Sequence, residues 1–266
     1  MHLDLKDKGI CRSLILFGTR EVDHKIILEK VLKHGMKVLD IGANIGYYVL
    51  MEQRLIGPSG RIVAVEPSPS NITLLKRNIE LNDYGSIEVI QGAVSDVSGT
   101  RKFYLSEESN LNTFHAIGTI QKHLSGEMIH VTTYTVPELA QAYGSPDLIR
   151  MDVEGHEVEI MAGMLDAIAK GTMTPMIIFE THNSRYSDSH DMKSVLRAFF
   201  KLRYSIRYLA SSAQNGTQRI KQRGYHGGAP ISTDGVTRVI FENVKEEDGL
   251  EFICHGGART VLLQYS

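Results

Sequence analysis

The sequence predicts an α/β chain built on a doubly wound sheet, and three observations predict it. Short apolar runs bounded by turn residues alternate with stretches of helical periodicity. The run from Val38 to Tyr47 passes from an apolar strand straight into a glycine-containing turn that opens a helix. The prominent polar residues fall at the carboxyl ends of the apolar runs, where sheets of this kind bind ligands.

The elements follow in chain order. Leu3 to Thr19 reads as short strands or a hairpin, and Glu21 to Lys33 as an amphipathic helix with Val22, Ile26, Ile27 and Val31 toward one face. Val38 to Ile41 is the first core strand, Tyr47 to Ile56 a helix, and Gly57-Pro58 its stop. Arg61 to Glu66 is the second strand. Ser68 to Asn71 caps a helix that carries Ile72, Leu75 and Ile79 at helical spacing. Ile87 to Ile90 is the third strand, with a turn over Gln91 to Asp96. Arg101 to Leu105 and His130 to Thr135 are extended, and Ser106 to Glu127 between them is a polar surface excursion able to approach a substrate. After a short helix near Pro137 to Ala142, Asp147 to Asp152 resumes the sheet, Glu157 to Ala169 is a helix, and Pro175 to Glu180 is the next strand. Met192 to Lys201 is a helix and Ser205 to Leu209 a strand. Ser211 to Pro230, rich in Gly, Ser, Gln and basic residues, reads as a loop or lid, followed by strands at Arg238 to Asn243 and Thr260 to Gln264 around an acidic turn, Lys245 to Gly249.

Bulk properties narrow the function. With 266 residues the chain is long enough for one large domain. A net charge of −2 and a charged fraction of 23%, without a long basic tract, do not advertise extensive nucleic-acid binding. The two cysteines, Cys11 and Cys254, match neither a metal-ligand spacing nor a disulfide framework. The charged N-terminus does not resemble a signal peptide, and no apolar run approaches the roughly 18 residues of a membrane span, so a cytoplasmic protein without membrane association is expected. Oligomeric state is not legible.

The loop Val38-Leu-Asp-Ile-Gly-Ala-Asn-Ile-Gly-Tyr47 has the wrong charge for a pyrophosphate. Phosphate oxygens against loop amides would meet Asp40, whereas a cationic ligand is attracted by it, and S-adenosylmethionine with its ammonium and sulfonium groups fits. Asp40 and the Gly-x-x-x-Gly spacing of Gly42 and Gly46 argue against a nicotinamide dinucleotide. Gly42, Ala43, Asn44 and Gly46 form the turn. Glu66, followed by Pro67, closes the second strand where a doubly wound nucleotide domain places the acid that takes both ribose hydroxyls. Ala93 and Val94 are placed to line an adenine face, with Ser95 or Asp96 at its amino group. Tyr47 and Tyr48 either wall the cofactor or pack beneath the sheet.

The second informative element is Asp152-Val-Glu-Gly-His-Glu157, three carboxylates and a histidine between a buried strand and a helix. Methyl transfer from a sulfonium to a hydroxyl needs an aligned acceptor and a base, so Asp152, Glu154 and His156 are candidate catalytic groups. Acidic residues also simply suit a helix N-terminus. Glu180, opening Glu180-Thr-His-Asn183, adds another acid. Asp152 and Glu180 together could embrace a hydroxyl or a divalent ion such as Mg²⁺, the metal being a secondary expectation with no ligand set assigned.

These residues resemble the FkbM-type methyltransferase family: Val38 to Tyr48, Glu66-Pro67, and Ile149-Arg-Met-Asp-Val-Glu-Gly-His-Glu157 with Gly163 downstream. The similarity covers about residues 20 to 185. It implies a class I S-adenosylmethionine-dependent fold, Rossmann-like with a seven-stranded, mostly parallel sheet, carrying an N-terminal extension and a C-terminal elaboration. On that reading one domain, 1–266, divides into N-terminal strands and a helix (1–34), a cofactor-binding core (35–210) and a lid-like loop with terminal strands (211–266). The resemblance further implies cofactor roles for Asp40, Gly42, Asn44, Gly46 and Glu66, and O-methylation of a small-molecule or glycan acceptor. Thr135-Val-Pro-Glu138 stands where relatives tend to carry Thr-Leu-Asp. Alternatives are a methyltransferase acting on RNA or protein, and a catalytically silent cofactor-binding protein of the same fold.

Overall fold

The computed structural model describes residues 1–115 and 121–266. Its chain divides into two compact units, one of residues 1–19 and 32–164 and one of residues 20–31 and 165–266.

In the first unit β1 (Lys37–Ile41), β2 (Arg61–Glu66), β3 (Ile87–Gln91) and β7 (Leu148–Met151) form the parallel arrangement that the strand and helix alternation predicts, in the order β7-β1-β2-β3. The strands are apolar because both faces are covered, and β7 is buried at all four positions. Between them run α3 (Tyr47–Ile56) and α4 (Pro69–Leu81), the latter with proline at its start, where a missing N–H costs nothing. A small separate sheet joins β4 (Ala93–Val94), β6 (Leu124–Tyr134) and β5 (Gly99–Ser106), so the expected Gln91–Asp96 turn contains a short strand. The Ser106–Glu127 excursion is correspondingly shorter than expected, because β6 begins at Leu124; its stretch 116–120 lies outside the described residues. Thr135 and Glu138 form a capping box that starts α5 (Val136–Tyr143). The departure from the relatives' pattern at this point therefore makes a good helix start.

The N-terminal segment corrects the sequence reading. Ile10–Phe17 is a helix, α1, rather than a strand. Asp7 accepts the amides of Gly9 and Cys11 ahead of it, and Ile10, Cys11 and Leu14 share one face that packs against Ile45.

The second unit carries α2 (Val22–Val31) and an antiparallel sheet in the order β12-β9-β13-β8, from β8 (Met176–Glu180), β9 (Tyr204–Ser211), β12 (Ile240–Val244) and β13 (Ala258–Tyr265). The α7 helix (Met192–Lys201) buries Val195, Leu196, Phe199 and Phe200. A hairpin of β10 (Ile231–Thr233) and β11 (Val236–Arg238) precedes β12. Two expectations fail here. Ser211–Pro230 is not a free loop but contains α8 (Gln214–Gln222), held by fully buried Ile220 and by Gly216, whose missing Cβ would lie 2.5 Å from the Gly257 carbonyl oxygen. The acidic stretch Lys245–Gly249 is the start of α9 (Glu246–Cys254), where Glu246, Glu247 and Asp248 complement the helix dipole. Among the described residues, no helix is long and apolar enough to cross a membrane.

Candidate functional site

The glycine loop leaves β1 with Gly42 and Gly46 both in the left-handed region, at φ +80° and +90°. Gly42 also permits close approach, since a Cβ there would sit 2.2 Å from the Asp152 carbonyl oxygen. Every amide of the turn already has an acceptor. Gly42 and Ala43 donate to the Val65 carbonyl (2.9 and 3.1 Å), Asn44 to Glu66 Oε2 (2.9 Å), Ile45 to its neighbour's Asn44 Oδ1 (2.7 Å) and Gly46 to the Ala43 carbonyl (2.9 Å). The amides of Gly42 to Gly46 are thus engaged within the protein, so the loop itself does not present the open fan of N–H groups that a pyrophosphate cradle uses.

Asp40 does not face the loop as a bare anion. Fully buried, it receives Arg150 Nη1 at 2.9 Å from the neighbouring strand, where the two residues are direct partners in register. Arg150 also donates to the Gly42 carbonyl (3.3 Å) and Asp152 Oδ2 (3.4 Å), and its guanidinium carbon lies 4.0 Å from the centre of the Tyr48 ring. Burial opposes the charge on Arg150, yet Asp40 and Asp152 hold its pKa above the usual value. Buried Glu52 joins this pocket; burial, and secondly the Asp40 charge, push its carboxyl well above the usual range. The charge that Asp40 contributes is thus shared with Arg150, and Tyr48 packs on that pair.

Glu66 ends β2 with both carboxylate oxygens held. Oε1 accepts from the Ser68 amide (2.9 Å) and Asn71 Nδ2 (3.1 Å), while Oε2, among the described residues, accepts the Asn44 amide. Burial raises its pKa to about 7 against those three donors. A carboxylate has about four lone-pair directions, so one remains at Oε2 for a hydroxyl, and a second hydroxyl fits if Asn71 turns away. Pro67 and Ala43 are buried beside it. The Ser109 carbonyl accepts from both Asn44 Nδ2 (3.1 Å) and Asn71 Nδ2 (3.2 Å), and its amide donates to Asp7 (2.9 Å), so the excursion folds over this acid. A cavity of about 340 Å³ opens alongside, bounded by Asp7, Cys11, Ile45, Ser70, Asn71 and Ser109.

The Asp152–Glu157 turn uses two left-handed residues, Glu154 (φ +52°) and Gly155 (φ +102°). Glu157 is buried and accepts the Gly155 amide (3.3 Å), so it shapes the turn. The Glu154 carbonyl accepts the Thr113 hydroxyl (3.2 Å). Asp152 keeps 22% of its side chain exposed, whereas His156 is 2% exposed. The imidazole is enclosed: Nε2 lies 2.9 Å from Ser95 Oγ, Nδ1 lies 3.1 Å from His115 Nε2, and the Phe114 ring centre is 4.5 Å away. Burial pushes its pKa down to about 4, so it is neutral. Gly163, on the helix α6 (Glu157–Ala169), allows that helix to meet the strand end, since a Cβ there would lie 2.9 Å from Asp96 Cα. Ala93 and Val94 are buried in β4, and Asp96 is engaged by Ser95 Oγ and Arg101 (2.8 Å each). The turn thus offers two half-buried acids, Asp152 and Glu154, and His156 as a buried strut.

Glu180 belongs to the second unit. It is buried, and its carboxylate is ion-paired with Arg259, with His182 Nε2 at 3.9 Å. The sequence reading missed Arg150, Asn71, Ser109 and His115. Arg150 alone had a visible signal, a lone charge within the apolar run Leu148–Met151.

Comparison with known proteins agrees with this architecture. A family model described as the methyltransferase FkbM domain matches residues 40–206. The methyltransferase sdnD of Sordaria araneosa is 28% identical over 155 residues, covering 48% of this chain and 60% of the relative. The hexuronic acid methyltransferase AglP of Haloferax volcanii is 27% identical over 145 residues, covering 54% of each. The chain therefore spans little more than half the length of these curated relatives. A solved methyltransferase FkbM from Methylobacillus flagellatus aligns with a TM-score of 0.41 at 16% identity, covering 80% of this chain and 45% of that one.

Proposed function

From the premise that this chain belongs to the FkbM methyltransferase family, we propose that it is an S-adenosylmethionine-dependent O-methyltransferase acting on a hydroxyl of a sugar, glycan or small metabolite. The observation that carries this reading is the pairing of Glu66, an acid with a free lone-pair direction at a strand end, with a glycine loop whose amides are all occupied. That combination suits a ribose diol and a cationic tail, and offers a pyrophosphate none of the loop's own amides.

S-adenosylmethionine, when bound, supplies an electrophilic methyl group on a sulfonium. Glu66 would accept the ribose hydroxyls, with Asn44 and Asn71 fixing its orientation. Ala93 and Val94 would line the adenine face. The local charges favour a cation: Arg150 offsets Asp40, and Asp152 adds a further carboxylate. Asp152, a half-buried carboxylate of the turn beside Arg150, would hold the proton that the acceptor hydroxyl gives up as its oxygen bonds to the methyl carbon. Alignment supplies roughly 7–11 kcal/mol and a base typically only about 10²- to 10⁴-fold, so an Asp152→Asn variant should retain measurable turnover. Support for a sugar acceptor comes from AglP, whose name states a hexuronic acid substrate.

The test is incubation with methyl-labelled S-adenosylmethionine and a panel of hexuronic-acid oligosaccharides and hydroxylated metabolites. Label in an O-methyl group of one of them supports the reading. Label entering only RNA or protein, or no S-adenosylhomocysteine from any acceptor despite cofactor binding, refutes it.

A further inference from the structure

Behind the Asp152–Glu157 turn lies a second cluster of chemistry-bearing side chains, all within the first unit. His115 Nε2 is 3.1 Å from His156 Nδ1, His156 Nδ1 is 3.3 Å from Glu159 Oε2, and His115 Nε2 is 3.8 Å from Glu159 Oε1. We propose that these three side chains form a zinc site, independent of the methyl-transfer reading.

The spacing matches what zinc asks of its ligands. With Zn–N and Zn–O bonds of roughly 2.0–2.2 Å, two ligand atoms of a tetrahedral site stand about 3.3–3.5 Å apart. The three observed separations bracket that value. Two imidazoles and one carboxylate suit a borderline ion such as zinc better than Mg²⁺ or Ca²⁺, which prefer all-oxygen shells.

The hydrogen bonding around His156 fixes the tautomer that coordination needs. Ser95 Oγ donates to Asp96 Oδ1 (2.8 Å), so at its 2.9 Å contact with His156 Nε2 the hydroxyl oxygen accepts and Nε2 carries the proton. Nδ1 is then a bare lone pair directed at His115 and Glu159. An outer partner that holds the far ring nitrogen in this way is the usual companion of a metal-ligating histidine. In the metal-free protein His115 Nε2–H donates to that lone pair. On binding zinc, His115 shifts its proton to Nδ1 and presents Nε2, so no net proton is exchanged. His115 and Glu159 each keep 22% of the side chain exposed, which gives the ion and a completing water a way in. Phe114, stacked on the His156 ring, shields the buried side. Zinc here would tie the excursion bearing His115 to helix α6 bearing Glu159.

The test uses the full chain dialysed against a chelator, then titrated with Zn²⁺ by calorimetry and with Co²⁺ by visible absorption. One equivalent should bind, with the absorption of tetrahedral cobalt. His115→Ala and Glu159→Gln should each weaken binding at least tenfold with unchanged circular dichroism. Ser95→Ala, which frees the far nitrogen without touching the ion, should weaken it about 10- to 100-fold. His123→Ala, on the same excursion, should leave it unchanged. No zinc binding at tens of micromolar, wild-type affinity in His115→Ala, or loss in His123→Ala would overturn the assignment.

Discussion

Replacing Arg150 by leucine perturbs the site most informatively, because one guanidinium serves four partners. Its side chain is 3% exposed, and it contacts Asp40 (2.9 Å), the Gly42 carbonyl (3.3 Å), Asp152 (3.4 Å) and the Tyr48 ring (4.0 Å). Leucine removes the charge and leaves Asp40, which is fully buried, without a counter-ion. Glu52, the other acid of this pocket, offers it none. Removing one member of a buried pair typically costs about 3–5 kcal/mol. At roughly 2–4 °C per kcal/mol for a chain of this size, Tm should fall by about 6–20 °C. The loss should deepen as pH rises, because an unpaired Asp40 must give up its proton in an apolar setting. Urea denaturation followed by circular dichroism measures it, with Asp40→Asn/Arg150→Leu as the partner variant. The double variant, which removes both charges, should recover most of the loss. A single-variant loss under about 1 kcal/mol, or a double variant no better than the single, would refute the reasoning.

Further outcomes follow from individual residues. Glu66 has its pKa raised to about 7, so its ionised fraction rises from about one-tenth at pH 6 to nine-tenths at pH 8, and affinity for S-adenosylhomocysteine should strengthen roughly tenfold over that interval. The same shift has the opposite sign for stability of the ligand-free protein: the contribution is present below the ordinary carboxylate range and lost as pH rises through about 7. Thermal scans across pH check the sign. Gly42→Ala places a methyl group against the Asp152 carbonyl at φ +80°; it should cost upwards of about 1–2 kcal/mol from backbone strain alone and weaken cofactor binding, both readable by calorimetry. Arg219→Ala removes the donor that satisfies the His255 and Gly256 carbonyls after α9, and urea unfolding should show a loss of about 1–2 kcal/mol.

What was legible in the sequence follows burial. The elements α3, β2 and α7 were read to the residue because one periodicity dominated each. Arg150 was overlooked because an apolar strand argues for core, although its register opposite Asp40 is what lets both charges be buried. The helix α1 was misread because Ile15, Leu16 and Phe17 are exposed and blur the pattern set by Ile10, Cys11 and Leu14. In α9, Gly249 looked like a turn; it is a contact residue, since a Cβ would lie 2.0 Å from Ile206 Cδ1. The helix α8 buries so few side chains that composition alone made it a loop. Within the candidate site, Asp40, Glu66, Asp152 and His156 stand out in the sequence as polar residues near or just beyond the ends of apolar runs. Their partners do not, because Asn71, Ser109 and His115 reach them through tertiary contacts that no spacing encodes.

The most direct measurement is equilibrium binding of S-adenosylhomocysteine to the intact protein at pH 8 by isothermal titration calorimetry, with Glu66→Gln alongside. Wild-type protein should bind one equivalent, and Glu66→Gln, which keeps the shape but loses the anion that accepts two hydroxyls, should bind at least tenfold more weakly. Absence of binding to the wild type, or equal affinity in the variant, would contradict the assignment of Glu66 and its glycine loop as the methyl donor's site.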